Sequence, residues 1–313
     1  MRLVVTIPAF NEEKTIGKVI REIPKKIPGI TEIEVLVIDD GSTDSTSVIS
    51  QKFGATVLRN TANRGLAQAF SRGMGKAFEM GADIIVNTDA DFQYNQAQIP
   101  LLVKPIVDGK ADIVLGSRFR GKIEYMPAHK RLGNHLVSFL MRAITGIPVS
   151  DSQTGFRAFS REAALRINVF SDYTYTQETI LEAFDKKLSI MEVPVDFRKR
   201  DGPSRLISNI FVYAKKVGLT ILSSYLTYRP LKVFSFVGAL MFLAGTLFGL
   251  RVLAHYISTG LVSPYLPTAV LSALLLIMGF QVIIIGLIAE IVKRSRKVQE
   301  EILYYERKSV LKK

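Results

Sequence analysis

Before residue 205 the apolar residues come in short blocks separated by polar loops; after residue 230 they come in two long blocks. Leu3 to Ile7, Ile33 to Ile38, Thr56 to Leu58, Ile84 to Thr88 and Ile113 to Leu115 read as buried strands, being short and rich in β-branched side chains. Between them Ile16, Val19, Ile20 and Ile23 recur at helical spacing, in a helix expected to open at Asn11 to Glu13. Pro8 is expected to end the first strand, and Pro24 with Pro28-Gly29 the first helix. Gly41 permits a tight turn after the second strand, and Ser42, Thr43 or Asp44 can cap the helix that follows. Leu66 to Met80 reads as a helix, and Tyr175 to Glu178 opens another that runs through Leu181 and Phe184. Strands alternating with helices predict an α/β, Rossmann-like domain over 1–205 with a mostly parallel sheet. Ligands of such sheets sit at the C-terminal strand ends. Three polar loops fall there: Pro8 to Glu12, Asp39 to Asp44, and Asp89 to Gln93.

The second half changes the picture. Leu231 to Leu253 and Leu266 to Ala289 are each long enough, at about 1.5 Å per residue, to cross a hydrocarbon core of about 30 Å. Ala254 to Tyr265 holds no Lys or Arg, whereas Lys215, Lys216, Arg229 and Lys232 precede the pair and Lys293, Arg294, Arg296 and Lys297 follow it. That asymmetry predicts a transmembrane hairpin over 230–292 with both termini and the first domain cytoplasmic. No signal peptide is visible at the N-terminus. Residues 206–229 alternate apolar runs with Lys and polar residues. They read as an interfacial amphipathic helix, or else as an ordinary core-facing one. The tail, 293–313, is a basic, helix-prone segment expected along an anionic surface. Gln281 lies mid-span and can bond to a partner helix, which makes a homo-oligomer through these helices possible.

With no Cys, disulfides and thiolate metal sites are excluded; His129, His135 and His255 have no helix-face spacing for a histidine metal cluster. The net charge of +13, from 41 basic against 28 acidic residues, suggests a polyanionic partner: nucleic acid, anionic lipid or a phosphorylated substrate.

Asn87 to Tyr94 is the stretch with the most chemistry. Asp89 and Asp91 stand one residue apart where the fourth strand ends, and Gln93 continues the alternation. Hard cations such as Mg²⁺ or Mn²⁺ take oxygen ligands and share them with phosphates, so Asp89, Asp91 and Gln93 form a candidate metal and diphosphate site. An Asp-x-Asp pair at a strand end is also a common solvated turn. Both the Gly-x-Gly-x-x-Gly and the Walker Gly-Lys-Ser/Thr fingerprints are absent, so a diphosphate would be gripped through the metal.

Ile-Pro-Ala-Phe-Asn-Glu-Glu at 7–13, Val-Ile-Asp-Asp-Gly-Ser-Thr-Asp at 37–44, Asn-x-Gly at 63–65, Asp-Ala-Asp at 89–91 and Gly-Ser-Arg at 116–118 resemble the family 2 glycosyltransferases of the GT-A fold. Among these the sequence looks like the polyprenyl (dolichyl) phosphate sugar synthases. The resemblance implies that Pro8, Ala9, Phe10, Glu12 and Asp39, with Asp40, Arg64, Gly65 and Asp89, meet the nucleotide. It implies that Asp89, Asp91 and Gln93 hold the metal and the sugar diphosphate. Phe10 stands where dolichyl-phosphate mannose synthases often carry Tyr, which keeps stacking and loses a hydroxyl contact.

Residues 116–131 carry Arg118, Arg120, Lys122, Lys130 and Arg131, read as a basic loop that is either simply solvated or binds an acceptor phosphate. The resemblance singles out Arg118 and Arg131 as catalytic, places 151–157 in the sugar pocket, and makes Arg198, Arg200, Ser204 and Arg205 a phosphate clamp. Glu178 is either a helix-start carboxylate favoured by the dipole or a base or sugar ligand. A phosphate monoester is largely dianionic at neutral pH and needs no general base, so one in-line displacement would invert the anomeric carbon. A sugar-hydroxyl acceptor would need a base, from Asp91 or Glu178.

Three rival readings stand beside this one. A processive polysaccharide synthase would carry Gln-x-x-Arg-Trp and more spans, and this chain has no Trp. A nucleotidyltransferase would need a Gly-rich, Arg-containing N-terminal loop. A membrane-anchored nucleic-acid binder would use the positive charge, although no nucleic-acid motif is present. The sugar and base stay open among GDP-mannose, UDP-glucose and UDP-N-acetylglucosamine.

Overall fold

The computed structural model describes residues 1–169, 175–199 and 230–310. They divide into two compact units, one holding 1–199 and 302–310, the other 230–301.

The first unit is built on a seven-stranded sheet in the order β3-β2-β1-β4-β6-β5-β7. The strands are β1 (Arg2–Ala9), β2 (Glu32–Asp39), β3 (Thr56–Arg59), β4 (Ile84–Asn87), β5 (Ile113–Ser117), β6 (Arg157–Ser160) and β7 (Ile190–Pro194). Only β6 runs antiparallel to its neighbours, so the sheet is mostly parallel as expected. The helices are α1 (Ile16–Glu22), α2 (Thr46–Lys52), α3 (Leu66–Glu79), α4 (Ile99–Val107), α5 (Ala128–Thr145), α6 (Arg161–Arg166) and α7 (Thr176–Asp185). Leu3, Val5, Ile7, Val37, Ile84, Val86 and Val114 are buried in one continuous core with Ile16, Val19 and Ile20 of α1 and Leu102 and Val103 of α4. Near-continuous apolar runs are what a sheet covered on both faces requires.

The antiparallel strand matters for function. Asn87 of β4 pairs with Arg157, and Leu115 of β5 pairs with the same Arg157. The start of β6 therefore lies between the ends of β4 and β5, and the segment 151–156 joins the edge where the parallel strands finish.

Several expectations are corrected. Pro8 does not end β1: it pairs with Ile38, and the strand runs on to Ala9. The pairing of β1 with β4 stops at Thr6, so a residue without an N–H is tolerated beyond it. Helix α1 opens at Ile16 rather than Asn11, because Glu12 O accepts from the N–H groups of Thr15 and Ile16 while the N–H groups of Glu12 and Glu13 bond to the next loop. Strands β6 and β7 carry no apolar block, holding Arg157, Glu192 and Pro194, and went unpredicted. The basic loop 116–131 is in its second part the start of α5, an 18-residue helix.

In the second unit lie α8 (Pro230–Thr259) and most of α9 (Leu266–Val310). Both are long and apolar enough to cross a membrane. The segment read as a separate tail continues α9. Tyr304 within it is buried in the first unit, donates to Glu162 of α6 at 2.9 Å and lies under the Arg166 guanidinium. The expected interfacial helix, 206–229, lies outside the described residues, as do Arg200, Ser204 and Arg205.

Candidate functional site

The loops after β1 and β2 are fastened to each other. Asn11 takes a left-handed backbone (φ 53) that few non-glycine residues adopt. Its N–H donates to Ser42 Oγ at 2.9 Å, and its side chain accepts from Thr43 N at 2.8 Å. Glu12 N donates to Thr46 Oγ1 at 2.9 Å, and Glu13 N to Asp44 Oδ2 at 3.2 Å. Asp44 also accepts from Thr46 N at 3.0 Å at the mouth of α2. Burial works against its charge, but the bonds from Thr46 and Glu13 hold its carboxyl below the ordinary range.

Two carboxylates expected at the nucleotide are tied up inside these loops. Asp39 is fully buried: Oδ1 accepts from Ser42 N at 2.8 Å, and Oδ2 from Ser47 Oγ. Asp40, also buried, accepts from Asn60 Nδ2 (2.6 Å), Arg64 N (2.9 Å) and Gly65 N (2.8 Å). Their role here is to set loop shape, because a turn dense in backbone N–H groups needs buried acceptors. Pro8 and Ala9 are buried beneath the same edge; Phe10 and Glu12 are half-buried, and Arg64 is exposed beside Gly65, whose φ is 92.

Asp89 and Asp91 differ from Asp39 and Asp40 in being partly exposed. They follow β4 at the same edge. Asp91 Oδ1 accepts from Gln93 N at 3.1 Å. Gln93 Nε2 reaches Arg198 O at 3.3 Å, and Arg198 N donates to Gln93 O at 2.7 Å. Behind Asp89 stands Gly155: a Cβ there would come within 2.8 Å of Asp89 Oδ1 and 3.0 Å of Tyr175 Oη. Gly155 is also bonded through its backbone. Its N–H donates to Tyr94 Oη at 2.9 Å, and its carbonyl accepts from Asn87 Nδ2 at 3.0 Å. Asn87 also donates to Tyr175 Oη at 2.8 Å, and the Tyr175 ring stacks on Phe70 at 4.0 Å. Burial pushes the Tyr94 hydroxyl up to about 12.

Two hard carboxylates, half-open at the end of a parallel strand, form a donor set that suits Mg²⁺ or Mn²⁺ shared with phosphate oxygens. Among the described residues no group of three acidic or histidine side chains surrounds a common point. Asp89 and Asp91, with Gln93 adjoining, are the residues that would hold such a cation.

Across the edge the cations are committed differently from what their sequence suggests. Arg118 is buried and forks onto Asp151, Nε to Oδ2 at 2.7 Å and Nη2 to Oδ1 at 2.8 Å. Burial alone would lower its pKa, but Asp151, with Tyr94 and Asp89, holds it raised. Arg118 thus forms a buried strut between β5 and 151–156. Arg198 pairs with Glu22 through both terminal nitrogens and covers the Phe92 ring at 4.5 Å, so it buttresses the 89–93 loop. Arg131 stands exposed on the first turn of α5, with Lys130 half-buried next to it. Glu178 is half-buried in the first turn of α7.

Sequence reasoning missed the ties that hold this edge. Arg157 is fully buried and donates to Ser152 O, Thr154 O, Thr176 O and Thr179 Oγ1, joining the Gly155 segment to α7. Its direct acceptors are neutral, and burial, only partly offset by Asp151, pushes its guanidinium down to about 10. Glu192 accepts from Ser150 N and Asp151 N and pairs with Arg120. Glu192 lies 42 and 41 residues from Ser150 and Asp151, and Arg157 lies 19 and 22 residues from Thr176 and Thr179, beyond any local pattern.

A GT-A-type sheet with an Asp-x-Asp pair at its ligand-binding edge and two bilayer-length helices defines a membrane-associated glycosyltransferase class. The family model described as Glycosyl transferase family 2 matches residues 4–167, more than half of the chain, and the protein belongs to that family. A second model, described as the GtrB C-terminal hairpin, matches 229–294. The chain is 32% identical over 60% of its length to the UDP-N-acetylglucosamine–dolichyl-phosphate N-acetylglucosaminyltransferase of Methanococcus voltae, covering 82% of that protein. It is 31% identical over 65% of its length to the dolichyl-phosphate hexose transferase of Haloferax volcanii, covering 86% of it. Glucosyl-3-phosphoglycerate synthase from Mycobacterium tuberculosis, solved with UDP, superposes with a TM-score of 0.55 at 26% identity, over 71% of this chain and 79% of that one.

Proposed function

We propose that the protein transfers one sugar from a nucleoside-diphosphate sugar to a polyprenyl (dolichyl) phosphate, inverting the anomeric carbon and supplying lipid-linked sugar for glycan assembly. The observation that carries this reading is the placement of partly exposed Asp89 and Asp91 on the strand edge where the fastened β1 and β2 loops and the 151–156 segment meet. Membership of family 2 and the two apolar helices support it.

Asp89 and Asp91, with Gln93 adjoining, hold the diphosphate end of the donor. A bound Mg²⁺ or Mn²⁺ would supply Lewis-acid stabilisation of the leaving diphosphate. Phe10 and Glu12 with the β1–α1 loop meet the nucleoside, and Arg64 and Gly65 close its other side. The acceptor phosphate, a dianion, forms the new C–O bond as the C–O bond to the nucleoside diphosphate breaks. It needs orientation and charge shielding rather than a base. Arg131 and Lys130, at the positive end of α5, serve that phosphate, with Arg200, Ser204 and Arg205 as further ligands. Arg118 acts by keeping Asp151 and its segment in place. Glu178 orients a sugar hydroxyl. The charge flanking the spans sets the catalytic unit and both termini in the cytoplasm.

Membranes carrying the full chain, supplied with polyprenyl phosphate, Mg²⁺ or Mn²⁺ and a panel of labelled GDP- and UDP-sugars, should yield lipid-linked label from one donor. An absence of lipid-linked label from every donor would overturn the proposal.

A further inference from the structure

Against α3 lies a cavity of about 780 Å³, closed by α6, the residues just after it and the last turns of α9, all within the first unit. Packed interiors keep few voids larger than a water molecule, whereas small-molecule pockets run to about 300–1,000 Å³. Phe70, Met74 and Phe78 of α3, Ala164 of α6, Ile167 and Leu303 of α9 supply its apolar walls. The three α3 residues are four apart, so they form one strip along the helix, about 12 Å from end to end.

The polar groups at this cavity are unequally satisfied. Arg161 pairs with Asp83 at 3.4 Å, and Glu79 with Lys76 at 2.8 Å. Arg307 is half-buried and donates to Leu165 O at 3.2 Å. Among the described residues no carboxylate forms an ion pair with it, and its neighbour Glu306 is exposed. Burial holds its guanidinium below the ordinary value. Asn168, 5% exposed, donates to Arg166 O at 3.2 Å, while its Oδ1 has no partner. A desolvated guanidinium beside an apolar strip is short of an anion, and its planar fork suits a carboxylate or a phosphate.

We propose that this cavity is a second ligand site, taking a single-chain amphiphile with an anionic head. The chain lies along Phe70, Met74 and Phe78, and the carboxylate or phosphate head meets Arg307. The cavity shares no residue with the Asp89 edge. Phe70 joins the two, since its ring stacks on Tyr175, which bonds to Asn87 behind Asp89. The site holds whether or not the sugar-transfer reading does, because its test reads binding alone.

The chain has no Trp, so a single introduced indole reports its own surroundings. Full-length F78W, and as a control V48W on exposed Val48 of α2, are reconstituted in phosphatidylcholine vesicles at slightly alkaline pH. Each is titrated with ω-bromoundecanoate, ω-bromododecyl phosphate or the neutral ω-bromoundecanol; bromine quenches indole only near contact. The expected result is saturable quenching at position 78 by at least one of the anions, with little at 48. The alcohol should need a concentration about tenfold higher, the scale of one hydrogen bond to a charged group. The anion that saturates first identifies the head group. Adding R307M to F78W should bring the anions down to the alcohol. Gly75 is exposed at the cavity and a Cβ there meets nothing within 4 Å, so G75L can enter without moving a neighbour and should weaken quenching by all three. Quenching at 78 no stronger than at 48, quenching that rises without saturation, or quenching unweakened in G75L would overturn the site. An alcohol as potent as the anions, or an anion preference that survives R307M, would overturn the anionic assignment.

Discussion

The two sides of the candidate site use charge in opposite ways. On the donor side, four carboxylates stand at the ends of β2 and β4. Asp39 and Asp40 are buried and saturated by the chain's own N–H and hydroxyl groups, whereas Asp89 and Asp91 remain half-open. On the acceptor side, Arg118 is buried against Asp151 and Arg198 is paired with Glu22, whereas Arg131 is exposed. Each side thus contains buried charges bonded within the edge and more exposed ones, which the proposed reading assigns to a ligand. Residue type distinguishes neither set; burial does.

The sharpest break of that comparison is Asp91→Asn. Replacing a half-open carboxylate should leave thermal unfolding unchanged and lower sugar transfer by about 10³-fold or more, if the leaving diphosphate depends on it. Full activity in this variant would remove Asp91 from the ligand-facing set. Next in size is the strut. Asp151→Asn strands a buried guanidinium and should cost about 3–5 kcal/mol in chemical unfolding. The double variant R118M/D151L should recover much of that loss. If the double variant folds well yet its kcat for transfer is abolished, Arg118 touches substrate after all.

Gly155→Ala probes the contact between the two sides. Its Cβ would press on Asp89 Oδ1 at 2.8 Å. The expected result is a donor KM raised by about 10- to 100-fold in a folded protein, because a displacement of an ångström in a ligand-holding group has that scale of effect. An unchanged KM would mean that Asp89 does not depend on this packing. An effect of similar size is a pH dependence of stability. Tyr94 is raised to about 12, above its unfolded value of about 10, so its protonated form is favoured by folding. That stability is fully present below pH ~10 and is lost as pH rises toward about 12, amounting to about 2–3 kcal/mol. Urea unfolding at stepped alkaline pH should show this decline in the wild type, and a shallower one in Tyr94→Phe.

Much of the fold was legible because buried parallel strands leave continuous apolar runs: Leu3 to Ile7 and Ile33 to Ile38 each fell within strands β1 and β2. Strands β6 and β7 left no such trace. Arg157 opens β6 with its side chain in a cage of carbonyls, and β7 sits at the sheet edge with Glu192 bonded to the 150–151 backbone. The Asp89–Asp91 pair was legible as a candidate, and both residues are half-open after β4. That Asp39 and Arg118 are buried and bonded within the chain was not legible in the sequence. Which acid meets which base is fixed by β6 returning antiparallel between β4 and β5, and a local window carries no record of that pairing.

The central claim concerns the bond that is made, so the product tests it most directly. The purified full chain, given its donor, polyprenyl phosphate and Mg²⁺ or Mn²⁺, should form a single-sugar phosphodiester of the polyprenol. Mass spectrometry should find one sugar per lipid, and proton and phosphorus NMR should show the anomeric configuration inverted relative to the donor. A retained configuration, a sugar-to-sugar linkage or a growing polymer would contradict the account.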